Sequence, residues 1–410
     1  MSDVHQERPL AAIVLAAGQG KRMGADVPKV LIEACGRSLV EHVLEALAPI
    51  GAHPTAVVYG HGGEMVRTAL ASRDLQFAHQ PTQLGTGHAV QCGLTGLGTF
   101  EGDVLVLCGD TPLLSTSVLE DLVAEHRATG NALTVLSAEM DQPGSLGRIV
   151  RASDGTLESI CEAADATDAQ RAIREINTGV MVIRGDVLVS ALKRIQPNNA
   201  QGELYLTDVP ALLLADGLGV GAHICGDPLS ALGVNRPAEL LIAIRALRER
   251  TLDYFATNGV RIEDPGSTVI DAGAEIDPGT LLRPFTTIAA GARIGADCSI
   301  GPFVTIGPGT TLGDDVRVDA HVELRGTTVE AQARIPGPAR LVGAVIGAGC
   351  WVGPGVVTEG SAEGRVVIGD GARVGAGAIL VAPLTVGAGA RIAEGTVVTR
   401  DVSPDSGTAG

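Results

Sequence analysis

The hydrophobic positions in the last third of the chain follow a period of six residues. An aliphatic residue stands at every sixth position from Ile270 to Leu324, and the same spacing returns at Ile346 and from Ile368 to Val398. This period matches neither the 3.6-residue period of an α-helix nor the alternation of a single strand. It is typical of hexapeptide repeats, in which each unit forms one side of a parallel β-helix. The interruption between residues 330 and 366 predicts a bulged or looped coil.

The first 235 residues follow a different pattern, in which short aliphatic runs alternate with helical segments. Residues 11–15, for example, form an aliphatic run that precedes the helical pattern of residues 39–47. Such alternation predicts a parallel α/β sheet. We therefore expect an α/β domain over residues 1–235, a linker helix over 236–257, a β-helix domain over 258–403 and a tail over 404–410.

Glycine and acidic residues are abundant in the 410-residue chain. There are 55 glycines but only five Phe, three Tyr and one Trp, so the core must be built mostly from aliphatic residues. The net charge of −17 argues against nucleic acid or an anionic membrane as a partner, because both are bound through a surplus of basic residues. Small anionic ligands remain compatible with this charge, since a few local cations suffice to bind them.

The seven cysteines are scattered along the sequence and form no CxxC or Cys/His cluster. This spacing predicts neither a zinc site nor a disulfide framework, and it favours a reducing compartment. The first ten residues are polar, and the chain contains no run of about 18 apolar residues, so we expect neither a signal peptide nor a membrane span. The sequence thus predicts a cytoplasmic protein.

A glycine-rich turn with basic residues follows the first predicted strand. It has three glycines within residues 18–24, together with Arg22, and Lys29 lies shortly after it. A GxGxxG dinucleotide motif would need glycine in place of Met23, and a P-loop would need Ser or Thr in place of Arg22. Two interpretations stay open on these residues alone: a phosphate-binding cradle of backbone N–H groups and cations, or a tight turn with solvated side chains.

Further motifs follow the glycine-rich turn in order along the chain. They are LAAGQGKRMG at 15–24, PKVL at 28–31, QPTQLGTGHA at 80–89, GDTPL at 109–113, GRI at 147–149, EINTGV at 175–180, NAQGELYLTD at 199–208 and GVN at 233–235. Together they resemble the uridylyltransferase half of the bifunctional N-acetylglucosamine-1-phosphate uridylyltransferase/glucosamine-1-phosphate acetyltransferase family, and the resemblance covers nearly all of residues 9–240. It implies an α/β fold class, with a Rossmann-like nucleotidyltransferase domain followed by a hexapeptide-repeat left-handed parallel β-helix.

The resemblance implies that UTP and N-acetylglucosamine 1-phosphate react to give UDP-N-acetylglucosamine and pyrophosphate. Because both reactants are anions, such a site must neutralise charge and hold the attacking and leaving oxygens in line. Asp110 and Asn235 are the implied ligands of Mg²⁺, which prefers oxygen donors. From the sequence alone, either residue could instead serve in a turn or a helix cap.

The remaining site residues are also implied by the resemblance. Arg22 would bind the leaving phosphates, and Lys29 would neutralise charge at the α-phosphate and the sugar phosphate. The implied nucleotide-binding residues are Ala16, Ala17, Gly18, Gln80, Gly85 and Thr86. The implied sugar-binding residues are Gly147, Glu162, Asn177, Tyr205 and Thr207. The chain departs from the family at Lys21 and Cys108 and, near the implied sugar site, at Ser145, Leu146 and Ala164.

In the family that this chain resembles, the β-helix carries an acetyltransferase. Acetyl transfer to an amine needs a general base and hydrogen-bond donors that stabilise an oxyanion. The family places a His and an Asn-Tyr-Asp-Gly stretch with a nearby Lys in that domain. Residues 337–343 and 358–365 occupy the corresponding positions in this chain without these side chains. After residue 258 there is no Lys, Tyr or Asn, and His321 is the sole His. We interpret His321 as a surface or corner residue and predict that acetyl transfer is lost, with the β-helix acting as a scaffold for a homotrimer.

The alternatives fall into three classes. The first is a fully bifunctional enzyme that also acetylates glucosamine 1-phosphate with acetyl-CoA. The second is a non-catalytic sugar-nucleotide sensor, which the retention of Arg22, Lys29, Asp110 and Asn235 disfavours. The third is a pyrophosphorylase for another sugar 1-phosphate or for dTTP.

Overall fold

The computed structural model describes residues 8–18, 20, 23–24, 27–359 and 364–408. These residues divide into two compact units. The first comprises the described residues up to Ala34 together with Ser38–Ala243, and the second comprises Cys35–Arg37 and the described residues from Ile244 onward. No helix within these ranges is long and apolar enough to cross a membrane.

The first unit is built on a nine-stranded sheet. Its strands are β1 Leu10–Ala16, β2 Thr55–Tyr59, β3 Gln76–His79, β4 Asp103–Cys108, β5 Leu133–Glu139, β6 Arg148–Arg151, β7 Leu157–Cys161, β8 Glu175–Arg184 and β9 Val220–Ile224. The strand order is β9-β5-β8-β4-β1-β2-β3, and β6 pairs with both β8 and β7. Two further strands of two residues each span Glu33–Ala34 and Arg37–Ser38.

Helices connect these strands. The α-helices are α1 Leu39–Leu47, α2 Gly63–Ala69, α3 Thr86–Leu97, α4 Thr116–Thr129, α5 Asp168–Arg171, α6 Gly185–Leu192, α7 Val209–Ala215 and α8 Pro237–Thr257. The 3₁₀ turns are Lys29–Leu31, Ala48–Ile50, Leu206–Asp208 and Pro228–Ala231. Local sequence explains where helices begin. In α1, for example, the side chains of Ser38 and Glu41 form a capping box with the first backbone N–H groups.

Both faces of the central sheet are buried, which explains the continuous aliphatic runs of the sequence. In β1, Ala12 and Val14 pack into the core on one face, whereas Ala11 and Ile13 pack into the core on the other. The expected α/β architecture is confirmed, but the sheet is mixed and not wholly parallel: β6 is antiparallel to both β7 and β8. The central strand β8 runs antiparallel to its neighbours β4 and β5. The sequence does not reveal this direction, because a buried aliphatic run has the same pattern in parallel and antiparallel strands.

The second unit is a parallel β-helix, as the six-residue period predicts. Successive strands fall on three sheets of eight, eight and seven described strands, and on the regular coils paired residues are 18 apart, as Ile288 and Ile306 are. The repeating aliphatic side chains point inward and are buried. Most of the small residues four positions later are buried as well, among them Thr280 and Ala378, so each corner can turn tightly.

Within each of the three sheets, the strands follow one another in chain order. The first sheet contains Arg261–Ile262, Leu281–Leu282, Ser299–Ile300, Arg317–Val318, Arg334–Ile335, Trp351–Val352, Arg373–Val374 and Arg391–Ile392. The second contains Val269–Ile270, Thr287–Ile288, Thr305–Ile306, Val322–Arg325, Ala339–Val342, Val357–Glu359, Ile379–Val381 and Val397–Val398. The third contains Glu275–Ile276, Arg293–Ile294, Thr311–Leu312, Thr328–Val329, Ala344–Ile346, Val366–Ile368 and Leu384–Val386.

The break in the six-residue period has a simple structural basis. Leu324 pairs with Leu341, and Leu341 pairs with Thr358, each 17 positions later, so two successive coils each lack one residue of the regular 18. Ile346 then pairs with Ile368, 22 positions later, so the next coil is four residues longer. The strands continue in register on both sides of these changes, and the inward side chains remain buried.

Candidate active site

The implied nucleotide-binding residues converge at the carboxyl edge of the first sheet. β1 and β4 are parallel neighbours, and the chain leaves β1 towards β2 on one side while β4 lies on the other. Such a switch point leaves a crevice at the ends of the strands. A cavity of about 260 Å³ lies there, and its lining comprises Leu15, Ala17, Gly18, Lys29, Val30, Gln80, Gln83, Gly85, Thr86, Ala89, Cys108, Asp110 and Glu203.

Most of the predicted nucleotide-binding residues lie on this cavity. Ala17 and Gly18 line it directly after β1, whereas Ala16 is the last residue of that strand and is buried. Arg22 lies outside the described residues, so its predicted role remains a prediction. Gly20 has a φ of +61°, and a Cβ atom at this position would lie 2.6 Å from the Cβ atom of Lys29. The glycine-rich turn therefore packs directly on the stem of Lys29.

Lys29 lies between the two implied metal ligands. Its ammonium group forms an ion pair with the Asp110 carboxylate and donates a hydrogen bond of 2.7 Å to the side-chain oxygen of Asn235. The side chains of Lys29 and Asp110 are only 11% and 19% exposed. A cation and a carboxylate thus come together in a largely buried position, and the exposed Asn235 supplies the second oxygen atom.

The backbone around Asp110 and Asn235 is tied together independently of Lys29. The backbone N–H of Val234 donates to the carbonyl of Asp110 at 2.8 Å. The backbone N–H of Asn235 donates to the Glu239 carboxylate at 2.6 Å, and its side-chain amide donates to the carbonyl of Gly233 at 3.3 Å. These bonds direct the Asn235 side-chain oxygen towards Lys29 and Asp110.

The donor set fits a hard divalent cation. A carboxylate oxygen and an amide oxygen already converge on one positive charge, the Lys29 ammonium group, which stands in for a metal ion. Mg²⁺ is typically held by one or two carboxylates together with waters and substrate phosphates. Among the described residues there is no group of three or more His, Cys, Asp or Glu side chains that could form an all-protein metal cage. The arrangement therefore suits a metal that arrives with phosphates.

The implied base-binding residues form the opposite wall of the cavity. The Gln80 side-chain amide lies 3.2 Å from the Gly85 carbonyl and 3.1 Å from the Nδ1 atom of His88. Gly85 has a φ of +109°, and a Cβ atom there would lie 2.6 Å from the carbonyl oxygen of Leu204. Glycine is required at this position both by the backbone conformation and by the close approach of the chain.

The implied sugar-binding residues also lie close to one another. Thr207 donates a hydrogen bond of 3.0 Å to Glu162, and the backbone N–H of Asn177 donates to the carbonyl of Gly147 at 2.9 Å. A Cβ atom on Gly147 would lie 3.4 Å from the Glu162 carboxylate. The hydroxyl group of Tyr205 is buried, and this burial, reinforced by the neighbouring Asp165 and Glu162 carboxylates, raises its pKa to about 12.

The segment that carries Tyr205 and Thr207 joins the two groups of residues. The backbone N–H of Leu206 donates to the Thr86 hydroxyl at 3.0 Å, and that of Gly87 donates to the Leu204 carbonyl at 2.8 Å. These hydrogen bonds therefore link the base-binding residues to the sugar-binding residues.

Burial controls the ionisation of the groups around the site. It raises the pKa of the Glu162 carboxyl, the Thr207 hydrogen bond opposes this shift, and the neighbouring carboxylates led by Asp165 reinforce it. Burial also raises the pKa of the Cys108 thiol to about 12, with a further contribution from Asp110 and an opposing one from Lys29. Cys108 is therefore a neutral thiol at physiological pH and not a nucleophile.

Several residues of the site were not among the predicted ones. Gln83 and Glu203 line the cavity, and Gln83 also donates a hydrogen bond to the Ala17 carbonyl. Both belong to motifs that support the family resemblance, so their position in those motifs could have indicated them. Nothing in the sequence indicates that His88 contacts Gln80, since that contact depends on how α3 packs beside β3.

The positions that correspond to the family's acetyl-transfer residues lie in the second unit. Residues 339–342, from the stretch 337–343, form a strand. Residues 360–363, from the stretch 358–365, lie outside the described residues. His321 is exposed at a coil corner with a φ of +63°. Its ring stacks on Phe303 at a centroid distance of 5.1 Å, and Phe303 stacks on Phe285 at 4.7 Å. The sole histidine of the β-helix thus ends a ladder of stacked rings.

Comparisons with known domain families agree with this division of the chain. The family described as a MobA-like NTP transferase domain matches residues 12–192, and the bacterial transferase hexapeptide family of six repeats matches residues 291–326 and 365–400. The first unit is therefore a nucleotidyltransferase domain, and the second is a hexapeptide-repeat β-helix.

Full-length relatives cover nearly the whole chain. Proteins called "Bifunctional protein GlmU" from Thermobifida fusca, Streptomyces griseus and Trichlorobacter lovleyi are 40%, 41% and 38% identical to it. In each case the alignment covers 97% of this chain, and it covers 91%, 91% and 94% of the respective relative. The T. fusca alignment runs over 439 residues, although this chain has only 410, so the relative contains segments that have no counterpart in this chain.

The buried Glu162 carboxyl gives a testable dependence of stability on pH. Its pKa is raised in the folded state, so ionisation costs free energy that the unfolded chain does not incur. We expect Glu162→Gln to increase the free energy of unfolding at pH 7, because the amide can still accept the Thr207 hydrogen bond. The gain should disappear below a pH of about 4, where the carboxyl is protonated in both states. Urea unfolding at several pH values measures this difference.

The matched control is Glu158→Gln, because Glu158 is an exposed residue on β7, the strand that ends immediately before Glu162. It should leave stability nearly unchanged at every pH. A Glu162→Gln protein that is less stable than the wild type at pH 7 would contradict this electrostatic account.

Proposed function

The chain belongs to the GlmU family of bifunctional proteins, and from this membership we propose that its first unit makes UDP-N-acetylglucosamine and pyrophosphate from UTP and N-acetylglucosamine 1-phosphate in a Mg²⁺-dependent reaction. The observation that carries the proposal is the cluster of the largely buried Lys29 and Asp110 with Asn235, beside a cavity at the switch point of the sheet. A cation and hard oxygen ligands are the groups that a reaction between two phosphate compounds requires.

In the proposed reaction, a phosphate oxygen of the sugar 1-phosphate attacks the α-phosphorus of UTP, and pyrophosphate leaves with the electrons of the broken P–O bond. The attacking phosphate is already ionised at neutral pH, so no side chain needs to remove a proton from it. This agrees with the contact of His88 with Gln80, which gives that histidine a structural role.

Asp110 and Asn235 would hold the metal ion. When bound, Mg²⁺ supplies positive charge that neutralises the phosphate oxygens and orients them. Lys29 would supply a second positive charge, and the backbone N–H groups near Gly18, which lines the cavity after β1, would contact phosphates. Arg22 is proposed to bind the leaving phosphates.

We propose that one group of residues in the site selects the base and that the other selects the sugar. Gln80, Gly85 and Thr86 would read uracil through amide and backbone groups. Glu162 and Asn177 would contact the sugar hydroxyls and the N-acetyl group, and Gly147 and Thr207 would complete this wall. The buried hydroxyl of Tyr205, close to the Glu162 and Asp165 carboxylates, supports the proposal, since a sugar hydroxyl could hydrogen-bond with these groups.

We also propose that this chain has lost the acetyltransferase activity that the family's bifunctional name denotes. Residues 259–410 contain no Lys, Tyr or Asn, and their sole His stacks on Phe303 at an exposed corner. A general base and oxyanion donors of the expected kinds are therefore missing from the sequence.

The β-helix would then serve assembly, and we propose a homotrimer through its flat faces. On one sheet, Val357, Ile379 and Val397 stand side by side in register, and they are 37%, 44% and 58% exposed. Such a row of exposed aliphatic side chains is suited to burial against another copy. Sedimentation equilibrium should give three times the chain mass of 41.7 kDa for the wild type and a smaller mass for Ile379→Glu. A wild-type monomer would contradict the proposal.

The proposed location is the cytoplasm, where the small anionic substrates would be the partners. All seven cysteines are free thiols, which suits a reducing compartment. The net charge of −17 disfavours nucleic acid and anionic membranes as partners.

Pyrophosphate release tests the proposed reaction directly. With Mg²⁺, UTP and N-acetylglucosamine 1-phosphate, the wild type should release pyrophosphate, and chelation of the metal should stop the release. Asp110→Asn should lower kcat by about 100-fold or more, because it weakens stabilisation of developing charge. The control is Asp121→Asn, which changes an exposed carboxylate on α4 and should retain activity. Absence of pyrophosphate with every sugar 1-phosphate and nucleotide in a panel would exclude the proposed enzyme and leave a sugar-nucleotide sensor.

The same preparation tests the loss of acetyl transfer. With acetyl-CoA and glucosamine 1-phosphate, no free CoA thiol should form above the rate without protein. CoA release that depends on glucosamine 1-phosphate would show that the chain is bifunctional.

A further inference from the structure

The position of Lys29 conflicts with the position proposed for the metal. Its ammonium group lies between the Asp110 carboxylate and the Asn235 side-chain oxygen, and it bonds to both. These are the same two oxygen atoms that would hold Mg²⁺. An ammonium group and a divalent cation cannot both occupy the position between these two oxygen atoms, and two positive charges a few ångströms apart beside the largely buried Asp110 side chain repel each other.

The site is built so that the Lys29 side chain can leave while its surroundings stay in place. The backbone of Lys29 forms a 3₁₀ turn and packs against Gly20. The Asp110 and Val234 backbones are joined by their own hydrogen bond, and Glu239 accepts a bond from the Asn235 backbone. Rotation of the flexible lysine stem is therefore sufficient to uncover both oxygen atoms.

An incoming nucleotide would provide a new partner for the ammonium group. Within the described lining of the cavity, Lys29 is the only cation, and the carboxylates are Asp110 and Glu203. A triphosphate carries more negative charge than the single Asp110 carboxylate, so it can attract the ammonium group away from Asp110. The Asp110 and Asn235 oxygens then become available to a metal ion that accompanies the phosphates.

We propose that Lys29 is a built-in counter-ion that occupies the divalent-cation position of the free protein and yields it only when phosphates bind. This inference rests on the proposed function for the identity of the metal site, and it adds an order of events. Metal binds weakly to the free protein and tightly with the nucleotide. By reciprocity, the metal and the nucleotide then increase each other's affinity.

The test is the binding of Mn²⁺ alone to the full-length protein, followed by electron paramagnetic resonance of the free ion. Lys29→Met removes the charge but keeps the length of the side chain, so it should bind Mn²⁺ at least tenfold more tightly than the wild type. Lys29→Arg keeps a positive charge and should bind as weakly as the wild type. Lys193→Met removes an exposed lysine elsewhere in the same unit and controls for the change in net charge.

The gain in Lys29→Met must depend on Asp110. The double variant Lys29→Met/Asp110→Asn should therefore lose the tighter binding. If Lys29→Met does not fold, as judged by circular dichroism, Lys29→Ala takes its place with the same expectation. Mn²⁺ binding by the folded variant that is equal to or weaker than that of the wild type, or a gain that survives Asp110→Asn, would overturn the proposal.

The outcome is separable from that of the proposed function. Pyrophosphate release by the wild type depends on substrates, whereas Mn²⁺ binding is measured without them. An active enzyme whose Lys29→Met variant gains no metal affinity keeps the proposed function and excludes the counter-ion role. A protein without activity whose Lys29→Met variant gains Asp110-dependent affinity for Mn²⁺ excludes the proposed function and keeps the counter-ion role.

Discussion

The contact of the Lys29 ammonium group with Asp110 and Asn235 is the interaction on which the candidate site depends. The three residues come from a 3₁₀ turn, from the loop after β4 and from the segment before α8, and they are separated by up to 206 positions in sequence. They meet because β1 and β4 are adjacent parallel strands whose carboxyl ends open onto one crevice. A charged cluster in this shielded position is costly unless its members pair with each other or with ligands. The fold therefore places the charged Lys29 and Asp110 side chains where phosphates would bind.

The two units differ in the chemistry of their side chains. The first unit carries the cationic and oxygen-donor cluster, together with buried carboxyl and hydroxyl groups whose ionisation is suppressed by burial. The second unit is a stack of coils whose interior is aliphatic and whose corners use small residues. Its sequence after residue 258 lacks the lysine, tyrosine and asparagine side chains that amine acylation in this family would use. If acetyl transfer is lost, as we propose, the second domain keeps the repeat architecture of the family without its activity.

Much of the fold could be predicted because it depends on local patterns. The six-residue period places the inward residues of the β-helix, and the alternation of aliphatic runs and helices places the strands of the first unit. The direction of β8 could not be predicted, since antiparallel and parallel buried strands share one pattern. The bond between Lys29 and Asn235 could not be predicted either. Their motifs assign them to phosphate and to metal, whereas only the packed structure shows that the two assignments compete for one position.

A crystal structure of the protein with Mn²⁺ and UTP, with the metal located by anomalous scattering, tests the central claim most directly. We predict an anomalous peak coordinated by the Asp110 carboxylate and the Asn235 side-chain oxygen, with the Lys29 ammonium group displaced onto a phosphate oxygen. Bound UTP with Lys29 still between Asp110 and Asn235, and with the metal located elsewhere, would contradict this claim.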